Sequence, residues 1–542
     1  MAAQFDWAMP YSSGRAPVVA RNMVATTQPL AAQAGLRMLQ QGGNAVDAAV
    51  AAAIALTVVE PISGGMGGDA FAILWDGGRV RGLNGSGCLP LNWRPTHRQD
   101  GAPLGDLLGW ESVTTPGVVS AWAALSQEHG RLPFHKLFEP AIGYARDGFH
   151  VSPMVARIWK GLQRVYQPYP EILAAFFPEG RAPEAGSVFR FPALADTFEV
   201  VASTRGHAFY RGDIAEKIVA HAAAAGAALS AADLAVHRAE WVEPLRIRYR
   251  DTEVYELPPN CQGLVTLIAL GILENFELSR YAVDTADSIH LQLEAVKLGF
   301  ADTHAHLADP RFMGRGTMEF LDPSYLRRRA KQISLAEARC PDTGLPSSGG
   351  TACVIAADKD GMIVSYIHSN GRGFGAGIVV PETGITMQNR ARAFSDRAGH
   401  PNEIGPGKRP YHTNIPALAL RDGRPLMAFG CMGWTMQPQA HVQFVTRLVD
   451  YRQQPQAVLD APRWRLAVAE PAILLEPGLR AAAATELARR GHDIVDTETK
   501  FELATTPFGS AMMFGAGQII CALGDGYVGA SDHRRDGQVA GY

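Results

Sequence analysis

Thr351 follows the flexible run Ser347-Ser348-Gly349-Gly350 and opens the apolar stretch Ala352-Cys353-Val354-Ile355-Ala356-Ala357, which closes at Asp358. A mobile loop that stops at a hydroxyl residue heading a strand puts that hydroxyl at the rim of a sheet. Breaking the Gly350–Thr351 bond there would leave a free α-amine one side-chain length from the hydroxyl, so that nucleophile and base come from one residue. The α-amine suits the work, because its reference pKa of about 7.7–8.0 leaves it partly unprotonated near neutrality. The same residues also suit an ordinary threonine that opens a strand.

The linker Cys340 to Gly350, with Pro341, Gly344 and Pro346, divides the chain into a larger piece, 1–350, and a smaller one, 351–542. Before it, helical stretches alternate with short strands. Leu30 to Gln41 and Ala45 to Val59 read as paired helices, the first ended by Gly42-Gly43. Phe71 to Trp75 and Val80 to Leu83 read as a hairpin across Asp76-Gly77-Gly78, and Asp287 to Ala308 as a long helix capped by Asp287 or Ser288. After the linker, Thr351 to Ala357 and Met362 to His368 pair across Asp358-Lys359-Asp360-Gly361. That hairpin predicts an antiparallel sheet buried on one side and presented to substrate at its edge.

Composition excludes more than it assigns. With 50 basic against 53 acidic residues the net charge is −3, which offers no footprint for nucleic acid or an anionic membrane. The apolar run Ala45 to Val59 is too short to span a bilayer and reads as a buried helix. Met1 to Trp7 lacks a basic stretch leading into an apolar one, so no secretory signal is read. The six cysteines, at 88, 261, 340, 353, 431 and 521, show no C-x-x-C spacing. Together these features lead us to expect a cytoplasmic protein.

A series of short motifs carries a resemblance. In order they are Gln41-Gly42-Gly43-Asn44-Ala45-Val46-Asp47-Ala48, Gly64-Gly65-Met66-Gly67-Gly68, Glu139-Pro140-Ala141, Ala145-Arg146-Asp147-Gly148-Phe149, Leu257-Pro258-Pro259 and Glu294-Ala295-Val296-Lys297. Beyond Thr351 come Phe374-Gly375-Ala376-Gly377, Gly407-Lys408-Arg409-Pro410 and Gly529-Ala530-Ser531-Asp532. Each is weak alone, but in this order the chain resembles the γ-glutamyltranspeptidase family nearly end to end. The resemblance implies an α+β protein with the four-layer αββα sandwich of N-terminal-nucleophile hydrolases, its sheets formed jointly by two self-cleavage fragments in an obligate heterodimer. Two such heterodimers could pair further.

Carried over position by position, the resemblance makes Thr351 the nucleophile, Gly350–Thr351 the cleavage site and Ser369 the hydroxyl beside the new amine. The backbone N–H groups of Gly433 and Trp434 would form the oxyanion hole, with Trp434 standing where the family keeps a second glycine. The γ-glutamyl contacts are altered. Ser86 replaces an Arg, Gly371 an Asn, Arg390 a Gln and Ala393 an Asp, while His412 and Thr413 replace a Ser pair. Arg390, with neighbouring Asn389, His412, Thr413 and Ser86, is then the expected substrate-binding set. Losing the carboxylate that holds an α-amine and gaining a guanidinium favours an acyl group with a carboxylate and no amine. This pattern resembles the branch that contains oxamate amidohydrolase and, more distantly, the glutaryl-cephalosporin acylases.

The expected reaction needs no cofactor. A γ-glutamyltransferase and a catalytically silent binding homologue are the alternatives. His304-Ala305-His306 with Asp302 and His290 could suggest a metal site, but i and i+2 on a helix do not share a face. The Gly64 to Gly68 run lacks the ending of a phosphate loop. Cys261 and Cys353 lack an evident activating partner.

Overall fold

The computed structural model describes residue 11 and residues 15–95, 104, 107–339, 350–468, 472–495 and 513–542. Two seven-stranded antiparallel sheets form its centre. The first runs Gln538–Gly541, Met23–Thr26, Gly350–Ala357, Ile363–Gly371, Asp69–Trp75, Val80–Asn84, Glu240–Val242. The second runs Val18–Ala20, Tyr527–Ser531, Ala516–Ala522, Arg424–Met432, Ala417–Arg421, Thr252–Glu256, Leu245–Tyr249. Both sheets therefore interleave strands from before and after residue 350.

The layers follow from side-chain alternation along each strand. Cys353 and Ile355 point inward with Phe71, Ile73 and Ile367 to meet Leu418, Ala428 and Ile520 of the second sheet. Val354, Ala356, Val364 and Tyr366 point the other way onto helices Pro29–Gln40 and Ala45–Val59. The outer face of the second sheet, with Val254, Ala419, Phe429 and Ile519, packs on Gly263–Leu273, Ala286–His306 and Met436–Val449. The result is the αββα sandwich that the resemblance implied.

Helix Ala45–Val59 is buried along its whole length. Its alanines let it lie close to the sheet, and a reciprocal Asn44–Asp47 capping box starts it. Asp358, in the turn after the Thr351 strand, accepts the Ala45 N–H at 2.8 Å and ties that hairpin to the helix N-terminus. No helix among the described residues is long and apolar enough to cross a membrane.

Two expectations need correction. The Gly350–Ala357 strand is third of seven, flanked by Met23–Thr26 and Ile363–Gly371, so only its tip and not its length meets the rim. It is buried on both faces and not on one, which explains its continuous apolar run. The long helix spans Ala286–His306 behind Thr285, with no side-chain cap. Asp287 instead pairs with Arg490 at 2.5 Å and Ser288 with the Tyr451 hydroxyl at 2.8 Å, so tertiary contacts have claimed both expected caps. The linker, apart from Gly350, lies outside the described residues.

Candidate active site

At Thr351 the pairing slips by one residue. Gly350 faces Gly371 and Ala352 faces His368, which leaves Ser369 and Asn370 together opposite Thr351. Such a bulge turns side chains out of register at a sheet's end and here gathers hydroxyls between the sheets. Thr351 and Ser369 are both fully buried. Gln437 Nε2 lies 3.5 Å from Thr351 Oγ1, at the outer limit of a hydrogen bond. The Ile415 N–H donates to Gln437 Oε1 at 3.1 Å, which fixes the carboxamide so that its NH₂ faces the threonine.

Arg390 sits in a short turn, Arg390–Ala393, and is 1% exposed. It donates from Nη2 to Ser369 Oγ at 3.0 Å and from Nη1 to Thr413 Oγ1 at 3.1 Å. Its Nε is buried with no acceptor among the described residues. Burial brings its pKa down to about 10. The guanidinium lies 5.5 Å from the centre of the Trp434 ring, within cation–π range.

Trp434 has φ +61, a left-handed conformation that a bulky residue adopts only when its surroundings hold it there. Gln262 Nε2 donates to the Trp434 carbonyl at 2.8 Å, and the Gln437 N–H does so at 3.2 Å. Gly433 before it has φ +124, and a Cβ there would stand 3.0 Å from Gly515 Cα. Tyr411 OH donates to Gln262 Oε1 at 2.9 Å, and Gln262 Nε2 also reaches the Thr413 carbonyl at 2.7 Å. One carboxamide thus joins the Gly433-Trp434 turn to the segment that carries His412 and Thr413.

His412 is buried beside Phe71, with ring centres 4.4 Å apart. Asn414 N–H donates to its Nδ1 at 3.2 Å, so Nε2 carries the hydrogen and donates to Asp69 Oδ2 at 3.2 Å. Burial, with Arg390 nearby, keeps this imidazole well below its usual pKa and neutral. Asp69 is the cross-strand partner of Ser369. Burial pushes its carboxyl up to about 7, against the pull of Arg390, the Gly87 N–H and Arg409. Sequence reasoning passed over Asp69, Gln262 and Gln437, because acidic and amide residues beside glycine or in a helix's first turn look like turn and cap chemistry.

The other expected positions are engaged elsewhere. Asn389 accepts the Arg372 N–H at 3.0 Å and donates to the Gly375 carbonyl at 2.9 Å, which shapes the loop behind Arg390. Ser86 donates to Asn84 Oδ1 at 2.7 Å within an Asn84–Asn260 network. The Gly64 to Gly68 run lets backbone approach His368 and Asn370. Cys261 and Cys353 are buried, and burial drives both thiols well above their usual pKa. Asp302 pairs with Arg329 at 2.6 Å. His290, Glu294 and His492 could share a cation, but Lys297 Nζ already donates to Glu294 at 2.8 Å and reaches His492 Nδ1 at 3.2 Å.

This fold and site define an N-terminal-nucleophile amidohydrolase, an enzyme acting on amides. The γ-glutamyltranspeptidase family model matches residues 31–542, and the chain belongs to that family. It is 36% identical over 448 residues to the glutathione hydrolase-like YwrD proenzyme of Bacillus subtilis, covering 82% of this chain and 85% of that protein. It is 34% identical to the oxamate amidohydrolase proenzyme of Klebsiella pneumoniae, covering 97% and 99%. The crystal structure of cephalosporin acylase from Bacillus halodurans superposes with a TM-score of 0.90 at 42% identity, covering 99% of this chain and 98% of that one.

Proposed function

We propose that the chain cuts itself between Gly350 and Thr351 and then hydrolyses the amide of a small carboxylate-bearing acid, such as oxamate or a dicarboxylic acid monoamide. The observation that carries this reading is Arg390, a buried guanidinium bonded to Ser369 beside Thr351. A fixed cation with an unpaired Nε–H suits a carboxylate, and its donors match one better than a neutral side chain could. The names of the Klebsiella and Bacillus halodurans relatives agree with this acyl chemistry. The proenzyme names agree with self-cleavage.

In the mature pair the Thr351 amine takes the hydroxyl proton while Oγ1 attacks the amide carbon. The Gly433 and Trp434 N–H groups receive the charge on the carbonyl oxygen. The tetrahedral adduct collapses, the substrate nitrogen takes the proton held by the Thr351 amine and departs as ammonia or an amine, and an ester to Thr351 remains. Water, deprotonated by the Thr351 amine, cleaves that ester to release the acid and restore Oγ1. Residues 1–350 and 351–542 act as an obligate heterodimer in the cytoplasm, with no cofactor.

The test compares wild type with Thr351→Ala on gels and against oxamate, a glutaryl amide and a γ-glutamyl anilide. Wild type should give fragments of 350 and 192 residues and prefer the first two substrates, whereas the variant stays whole and inactive. Preference for the anilide would make the chain a γ-glutamyl enzyme. Cleavage without turnover of any amide would make it a silent homologue.

A further inference from the structure

Arg390 and Asp69 both neighbour Ser369. Arg390 reaches Ser369 Oγ directly, and Asp69 is that residue's partner on the adjacent strand. The His412 Nε2–H joins Asp69 to the segment where Thr413 accepts from Arg390. Among the described residues the two form no ion pair within 4.0 Å, although each is fully buried and feels the other's charge. The groups facing Asp69 from neighbouring elements are Arg390, the neutral His412 ring, the Gly87 N–H and, at greater remove, Arg409, together with the Cys261 thiol and Tyr210 phenol, which burial keeps protonated. Arg409 is already matched by Glu240 at 2.8 Å.

A substrate carboxylate seated on Arg390 would bring a second anion against a single available cation in a space shut off from water. Two carboxylates held so close cannot both stay ionised. We infer that Asp69 sets the acyl specificity as a proton-linked counter-ion: it balances Arg390 in the empty pocket and takes up a proton when a substrate carboxylate binds. This deepens the carboxylate-amide reading and rests on it. The protonated Asp69 keeps its bond from His412 and no longer repels the ligand. The preferred substrate is thus a monoanion arriving with one proton, and a neutral acyl group gains nothing from either residue. The carboxyl's position near 7 places the exchange in the range where an enzyme works.

The test uses mature wild type and Asp69→Asn, with the monocarboxylates pyruvate and butyrate, monoanions throughout, as competitive probes from pH 6 to 9. For wild type, inhibition should weaken about tenfold per pH unit above about 7, as expected for one titrating group. For Asp69→Asn it should lack that slope, so that the variant binds the probe more tightly than wild type at pH 9. The Thr351 amine titrates in both proteins and cancels in the comparison. A second measurement is calorimetry of both proteins in buffers of differing ionisation heat: wild type should take up as much as one proton more per probe bound at pH 8 than Asp69→Asn does. Equal slopes in both proteins, or equal proton uptake, would overturn the role of Asp69 while leaving Arg390 as the anchor. If wild type cleaves itself but binds neither probe at any pH, the carboxylate pocket itself falls and this inference with it.

Discussion

Asp69 and Asp532 are both fully buried carboxylates beside arginine, yet they respond in opposite directions. Burial alone would raise the Asp532 carboxyl, but Arg463 and Arg534 hold it far below the usual range. Arg463 reaches it at 2.5 Å, Arg534 at 3.1 Å and the Gly517 N–H at 2.9 Å. Asp69 has a neutral imidazole at 3.2 Å and the Gly87 N–H but no cationic donor in contact, Arg390 standing farther off, and burial wins. The difference lies in direct donors. Asp532 is saturated and ties Arg463 to strand Ala516–Ala522 through the Gly517 N–H, whereas Asp69 and Arg390 are left partly unmatched, as a site that must accept a ligand requires.

Breaking the locked pair should have the largest effect. Asp532→Ala leaves the buried Arg463 guanidinium without its anion and Arg534 with Glu476 alone, and should lower stability by about 3–5 kcal/mol, read by urea denaturation. A loss below about 1 kcal/mol would put Asp532 in the same class as Asp69. The pH dependence of stability sharpens the contrast, because the two shifts have opposite signs. The depressed Asp532 carboxyl gives stability that is present above about pH 4 and is lost only as the pH falls toward its folded value. The raised Asp69 carboxyl makes the folded state bind the extra proton, so its cost is absent below about pH 4 and complete above about pH 7. Over that window wild type should lose up to about 4 kcal/mol relative to Asp69→Asn. Parallel stability curves would show that Asp69 is matched as fully as Asp532.

Smaller effects should come from the residues around Thr351. Arg390→Met should reduce kcat/KM for carboxylate-bearing amides about 10- to 100-fold, the range for a charged hydrogen bond, with less loss on neutral amides. Gln437→Met removes the NH₂ that faces Thr351 and should slow self-cleavage about tenfold with little change in melting temperature. Self-cleavage needs no added substrate, so it reports on the nucleophile alone. An unchanged rate would leave Gln437 with only its bonds to Ile415 and Trp434.

Much of the frame was legible because its signals are local. Gly42-Gly43 stops a helix and Asp358-Lys359-Asp360-Gly361 turns a hairpin, whereas the unbroken apolar run after Thr351 reads as a strand buried on one side and is buried on both. The family motifs added the positions of Ser369, Arg390 and Thr413, and the structure links the three by hydrogen bonds, with Ser369 opposite Thr351. Asp69 could not be found this way. Its meaning comes from facing Ser369, 300 residues away, across a strand pairing that no local pattern records. Gln262 and Gln437 were hidden for the same reason, since each acts on a backbone or hydroxyl supplied by a distant segment. Asn389 shows the converse: its place beside Arg390 suggested a ligand contact, whereas its carboxamide holds the loop at 372–375.

The strand headed by Thr351 runs between Met23–Thr26 and Ile363–Gly371, so one of its two neighbours precedes the proposed cut by more than 300 residues. Scission there removes the covalent tie without removing any rung of either ladder. Such a protein assembles once, as a single thread. If it were later unravelled, recovery would depend on two separate molecules meeting in solution, and its yield would fall with dilution as that of an intact thread does not.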